Sequence, residues 1–156
     1  MAKAIDIDYD VLKEELKKRG CKLTPQRRSI VDTIVDSEGK HLTAEEIYDE
    51  VKKRCPEIGL ATVYRTITLL EEIGIVSRLQ LNDGCSRYEI VHRDEKHRHH
   101  HLICNNCNEV FEVEDDLLDD LEEDIKTKYG FLILDHSVKF YGYCKACQEK
   151  MKDIKK

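Results

Sequence analysis

The stretch IVSRLQLNDGCSRYEIV, residues 75–91, decides the fold. Its two halves alternate apolar and polar residues on either side of Asn82-Asp83-Gly84, a pattern that predicts a β-hairpin. The sequence upstream has helical spacing instead. A short helix is expected at about 9–19. Thr24-Pro25 then reads as an N-cap followed by proline at the first helical position, opening a helix that turns Ile30, Val31, Ile34 and Val35 inward. Thr43 and Glu46 have capping-box spacing at the head of TAEEIYDEVKKR, which sets Ala44, Ile47, Tyr48 and Val51 on one face. A further helix, ATVYRTITLLEEIG, repeats Val63, Ile67 and Leu70 and stops at Gly74. Helices followed by a hairpin make a winged helix-turn-helix over residues 1–91, with Tyr64 and Arg65 early in the candidate recognition helix.

The pattern changes at His92. Residues 99–113 read as strand broken by the CNNC turn, and DDLLDDLEEDIKTKYG as a helix with Leu117, Leu118, Leu121 and Ile125 inward. FLILDHSVKFYGYC reads as strand again. The fold class is therefore α+β, with a small α/β domain at 92–156. A unit of roughly 65 residues hides little surface alone, so metal or dimerisation should help to hold it.

Composition narrows the function classes. The 156 residues contain no run of about 18 apolar residues, so no membrane span is expected, and MAKAIDIDYD lacks the basic-then-apolar build of a signal peptide. A cytoplasmic protein is expected, in which thiols stay reduced and paired CxxC motifs hold metal more often than disulfides. The net charge of −6 argues against nucleic acid only as a global count. Residues 16–31, LKKRGCKLTPQRRSIV, contain six basic residues and no acid. That patch fits a solvated face or a DNA contact equally well, and for DNA it offers Lys18, Arg19, Lys22, Arg27 and Arg28 to phosphate.

Cys104-x-x-Cys107 and Cys144-x-x-Cys147 are the strongest chemical signal. Four thiolates give a closed tetrahedral site of soft ligands, suited to structural Zn(II). A thioredoxin-like pair would need one CxxC at a helix start, whereas both turns here interrupt or close strands. Cys21, Cys55 and Cys85 have no such spacing. The run HRHHH, residues 97–101, needs a second explanation. On a strand, His99 and His101 share one face while His100 and Arg98 take the other, so two sites on opposite faces of one strand are more economical than one. Solvated, unliganded histidines are the plainer alternative.

LTPQR (23–27), HLTAEEIY (41–48), IGLATVYR (58–65), SRYE (86–89), HHLICNNC (100–107) and HSVKFYGYCKAC (136–147) together resemble the ferric uptake regulator family, in order and over essentially the whole chain. The resemblance implies a homodimeric, metal-responsive transcription repressor. Its N-terminal winged helix would bind double-stranded DNA at a palindromic operator, and its C-terminal domain would dimerise and carry the four-cysteine zinc site. It assigns a regulatory metal to His41, Glu89, His99, His101 and Glu112. Three imidazoles and two carboxylates suit Fe(II), with Mn(II), Co(II) or Zn(II) possible in its place. It assigns an additional site to His100, Asp119 and His136, weakened because Arg98 stands where a histidine can serve and a cation cannot ligate metal. The implied mechanism is a metal clamp that sets the angle between the two domains.

Within that family, Glu112 rather than Asp and TVYR rather than TVYN lean toward iron sensing over peroxide sensing. Glu89 in place of a thiolate leans away from zinc sensing. Tyr64 is expected to meet a thymine methyl and Arg65 a guanine. Arg87, in the wing, is expected either to serve the fold or to meet phosphate. A metal-dependent hydrolase and a metal-buffering protein are the rivals of other classes. There is no HExxH, nucleophile elbow or Gly-rich phosphate loop for the first, and the winged helix has no purpose in the second, so an enzyme is not expected.

Overall fold

A computed structural model of the protein describes residues 7–91, 100–113, 115 and 117–154. The chain divides into two compact units, Met1–His92 and Arg93–Lys156. No helix among the described residues is long and apolar enough to cross a membrane.

The first unit runs α1 (Tyr9–Lys18), α2 (Pro25–Asp36), β1 (Leu42–Thr43), α3 (Ala44–Arg54), α4 (Leu60–Glu72), β2 (Val76–Gln80) and β3 (Ser86–Ile90). Each start has a local cause. Asp8 caps α1 by accepting from the Asp10 and Val11 amides, and Thr24 caps α2 by accepting from Arg27, with Pro25 preset for the first turn. At α3 the capping box is complete: the Thr43 hydroxyl accepts from the Glu46 amide, and the Glu46 carboxylate accepts from the Thr43 amide at 2.8 Å. Thr43→Ala should therefore cost about 1 kcal/mol and lower the melting point of the first unit by several degrees. A thermal melt followed at 222 nm checks this, and an unchanged midpoint would show the cap to be redundant.

Leu12, Leu16, Ile30, Val31, Ile47, Val51, Val63 and Ile67 are buried in one core beneath the helices, together with Tyr88 and Ile90 from the sheet. The expected inward faces of α2, α3 and α4 are all here, although Val35 and Tyr48 only line the core's edge. The sheet order is β1-β3-β2, with Gln80 and Ser86 as the last paired residues before the loop. Asp83 organises that loop. Its carboxylate accepts from the Cys85 amide at 2.9 Å and pairs with Arg87 at 2.9 Å, while Gly84 takes φ +78°.

The second unit is built on β4 (His100–Cys104), β5 (Val110–Val113), α5 (Asp119–Tyr129), β6 (Lys139–Gly142) and α6 (Lys145–Ile154). Its sheet order is β5-β4-β6, antiparallel on the β5 side and parallel on the β6 side. Three expectations are corrected here. α5 begins at Asp119 and buries none of its residues, so Leu117 (59% exposed) and Leu121 (53%) face outward rather than inward. The expected strand at 131–144 shrinks to Lys139–Gly142. Phe131, Leu132 and Leu134 stand exposed without a ladder, since backbone groups form strand only where a neighbour pairs with them. The second CxxC, expected to close a strand, instead opens a helix: β6 ends at Gly142, and α6, which the sequence-based expectation lacks, starts at Lys145 between the two cysteines. The buried apolar side chains of this unit are only Ile103, Cys104 and Cys147 among the described residues, a core too small to hold it without help.

Candidate functional site

The four cysteines converge because strand ends and turns bring them together. Cys104 closes β4, Cys107 ends the turn after it, and Cys144 and Cys147 straddle the start of α6. Their sulfurs all lie within 4.8 Å of one another. Cys107 and Cys144 are 3.8 Å apart, and a tetrahedron with Zn–S bonds of about 2.3 Å has edges of about 3.8 Å. Backbone donors prepare the site. The Cys144 amide donates to Cys104 Sγ at 3.3 Å, and with the Cys107 amide it brings the Cys104 thiol down to about 6. The Cys107 thiol goes the other way, up to about 12. The Glu109 amide is the largest single influence and lowers it, but the Cys104, Cys147 and Cys144 sulfurs and the loss of water around the thiol together outweigh that effect. Four thiolates at this spacing need a cation among them, and the donor set fits zinc. The Asn106 amide group donates to Cys147 Sγ at 3.2 Å, a partner that ligand spacing alone does not reveal. Cys21 and Cys55 pack at the edge of the first core, and Cys85 is exposed.

In the first unit, His41 ends the turn before β1. Its backbone takes φ +49°, which histidine adopts more readily than most residues. Its side chain is buried, and Nε2 lies 3.0 Å from Glu89 Oε2. The other oxygen of that carboxylate, Oε1, accepts from Ser77 Oγ at 2.8 Å, a contact that no sequence pattern predicts. In the second unit, His101 on β4 is buried and sits directly opposite Glu112 on β5. Each unit thus presents one imidazole and one carboxylate. His99 lies outside the described residues, as do His97 and Arg98.

His100 is buried, and neither ring nitrogen has a hydrogen-bond partner among the described residues. A buried polar group left unsatisfied costs about 1–3 kcal/mol, a cost that a bound metal relieves. The His136 ring lies 5.3 Å away, and its Nδ1 meets the carboxylate of Glu122, not that of Asp119. Asp119 is exposed in the first turn of α5, one turn before Glu122 on the same face. Among the described residues, His100, Asp119 and His136 do not bring three ligand atoms within 4.8 Å of one another, as the four thiols do.

The candidate recognition helix α4 turns Val63, Thr66, Ile67 and Leu70 into the core and leaves Ala61, Tyr64, Arg65 and Thr68 exposed along one stripe. Tyr64 donates its hydroxyl to Glu45 of α3, which fixes the ring relative to the helix that precedes it. The basic entry segment divides by partner. Arg19 pairs with Glu72 at 2.9 Å and donates to that residue's carbonyl, tying α1 to the end of α4. Arg27 donates to the Lys22 carbonyl at 2.6 Å, Arg28 lies over the Tyr9 ring, and Lys18 pairs with Glu15. These exposed contacts contribute little to stability. Arg87 pairs with Asp83 inside the wing, where its side chain is mostly covered, so it serves the loop.

Comparison with known proteins agrees with this architecture. The sequence model described as "Ferric uptake regulator family" matches residues 18–141. A ferric uptake regulation protein from Bacillus subtilis (strain 168) is 45% identical over 141 residues, covering 90% of this chain and 95% of that protein. The solved structure of the Helicobacter pylori ferric uptake regulator, described as having three functional metal binding sites, superposes with a TM-score of 0.82 at 28% identity. It covers 95% of this chain and 97% of its own. The Campylobacter jejuni peroxide stress regulator superposes with a TM-score of 0.63 at 29% identity, over 92% of this chain and 100% of its own.

Proposed function

The chain belongs to the ferric uptake regulator family of metal-dependent transcription regulators, and from that premise we propose that it is an Fe(II)-responsive repressor of iron-uptake genes, acting in the cytoplasm as a homodimer. The observation that carries this reading is the donor chemistry of the two half-sites. His41 with Glu89, and His101 with Glu112, offer nitrogen and oxygen ligands without a thiolate. Such a set suits Fe(II) and also accepts Mn(II), Co(II) or Zn(II). We assign these four residues and His99 to one regulatory metal, which when bound would supply a positive centre shared by both units. His41 and Glu89 would bind it from the DNA-binding unit, and His99, His101 and Glu112 from the other.

The remaining roles follow the same division. Cys104, Cys107, Cys144 and Cys147 hold structural zinc. His100 and His136 form the heart of an additional site, to which Asp119 belongs only if α5 adjusts. The exposed Leu102, Phe111 and Phe140 are opposite neighbours across β5-β4-β6, and with Leu117 and Leu121 they supply the apolar surface that a second copy would cover. Tyr64 and Arg65 read base edges in the major groove, and Lys18, Arg19, Lys22, Arg27 and Arg28 meet phosphate. A two-fold dimer then asks for a palindromic operator.

The test keeps the zinc and strips the weaker metal. Binding to the DNA upstream of the protein's own gene is measured without oxygen while Fe(II), Mn(II) and Zn(II) are titrated separately, against a scrambled duplex. Fe(II) should tighten specific binding tenfold or more, about 1.4 kcal/mol of coupling. Tightening by Zn(II) alone would move the protein to the zinc-sensing branch. Loss of affinity after peroxide treatment of the iron form, with oxidised histidine found by mass spectrometry, would move it to the peroxide branch. Specific binding that ignores every metal would rule out the clamp.

A further inference from the structure

Three strands of the first unit place His41, Glu89 and Ser77 in a single row. Leu42 pairs with Tyr88, so His41, the residue just before β1, comes beside Glu89; on the other side Ser77 is the direct cross-strand partner of Glu89. The Glu89 carboxylate is thereby held at both ends, Oε1 by the Ser77 hydroxyl at 2.8 Å and Oε2 beside His41 Nε2 at 3.0 Å.

We propose that Ser77 is a positioning residue of the regulatory metal site, holding the Glu89 carboxylate so that a single oxygen, Oε2, is presented to the metal beside His41 Nε2. The inference rests on the reading that Glu89 and His41 are regulatory ligands. The terminal torsion of a glutamate is broad, so without a partner its carboxylate samples many orientations. A hydroxyl donating to one oxygen removes that freedom before the metal arrives. It also disfavours two-oxygen chelation, because Oε1 would have to give up its hydrogen bond to turn toward the same ion. One-oxygen binding suits a first-row ion with compact octahedral or five-coordinate geometry better than a larger ion such as Ca(II), which takes carboxylates with both oxygens. The hydroxyl thus contributes both to affinity and to the choice of metal. Serine at this strand position is otherwise a weak strand former, and valine or threonine would suit the strand better.

The experiment uses the full-length, zinc-loaded protein and Co(II) as the probe, read by its visible d–d absorption without oxygen. Ser77→Thr and Ser77→Val are nearly equal in shape and differ in whether a hydroxyl remains, so both should fold and melt alike. Glu89→Ala is the control for the underlying reading. Wild type should show Co(II) bands that Glu89→Ala loses or shifts. Ser77→Val should bind Co(II) about 10- to 100-fold more weakly, the usual effect of removing an outer hydrogen-bond partner, with altered band intensities. Ser77→Thr should stay within a few-fold of wild type. If Ser77→Val matches wild type in affinity and spectrum while Glu89→Ala loses the bands, Ser77 has no such role and the ligand assignment stands. If Glu89→Ala leaves the bands untouched, the ligand assignment itself falls and the inference goes with it. Should neither β-branched variant fold, Ser77→Ala and Ser77→Cys take their place in the same titration.

Discussion

Removing zinc from the four cysteines is expected to unfold the second unit and leave the first one standing. The argument is one of proportion. Met1–His92 has a contiguous core from its helices and a sheet, whereas Arg93–Lys156 buries only Ile103 and two of the zinc ligands as apolar groups among the described residues. Apparent binding free energies of structural zinc, about 10–16 kcal/mol in small peptides, match or exceed the whole stability of an ordinary domain, about 5–15 kcal/mol. Treatment with a strong chelator under reducing conditions, or Cys144→Ser, should therefore release one zinc per chain. Amide exchange should become fast from β4 to α6 while α2, α3 and α4 stay protected. The same treatment should shift the elution volume in gel filtration, since the exposed apolar face we assign to a second copy depends on this unit. Uniform protection after complete loss of zinc would mean that the unit holds itself together by packing.

Arg65→Ala should weaken binding to the operator by about 1–3 kcal/mol, roughly 5- to 150-fold, and relax the preference for one base pair in each half-site. Arg65 lies on the exposed stripe of α4 beside Tyr64, and removing it takes nothing from the core. Its loss therefore separates from a folding defect. Duplexes selected by the wild-type protein from a random pool provide the substrate. The comparison is with Lys22→Ala, which should leave the base preference alone and reduce the slope of log K against log salt by about one counterion. Equal losses on selected and scrambled DNA would make Arg65 a phosphate contact. An unchanged affinity would take α4 out of the groove.

The first unit is legible in the sequence because its elements announce themselves locally. Thr43 and Glu46 stand at capping distance, Thr24-Pro25 marks a start, and the apolar spacing of α2, α3 and α4 is satisfied inside the same chain. The second unit is legible only where chemistry sets the pattern, at the two CxxC turns and the histidines of β4. Leu117, Leu121 and the run from Phe131 to Leu134 have the look of inward-facing residues, yet Leu117, Leu121, Phe131, Leu132 and Leu134 stand exposed. Periodicity says which side chains shun water; it does not say which molecule covers them. Glu122 and Ser77 escape sequence reasoning for a related reason. Each touches a candidate ligand through a partner distant in sequence, and no spacing rule reaches from residue 122 to 136 or from 77 to 89.

The parallel pairing of β4 with β6 has a consequence for the order in which the second unit assembles. An antiparallel hairpin such as β4–β5 closes a short loop and can form early, bringing Cys104 and Cys107 together at once. The parallel neighbour has to wait for the crossover through α5, and Cys107 is 37 residues from Cys144. Metal capture should thus proceed in two steps, through a half-formed state in which one CxxC holds the ion and water completes its shell. That transient is the moment at which the protein is most exposed to competing metals and to oxidants. A cell short of zinc would lose newly made molecules rather than mature ones.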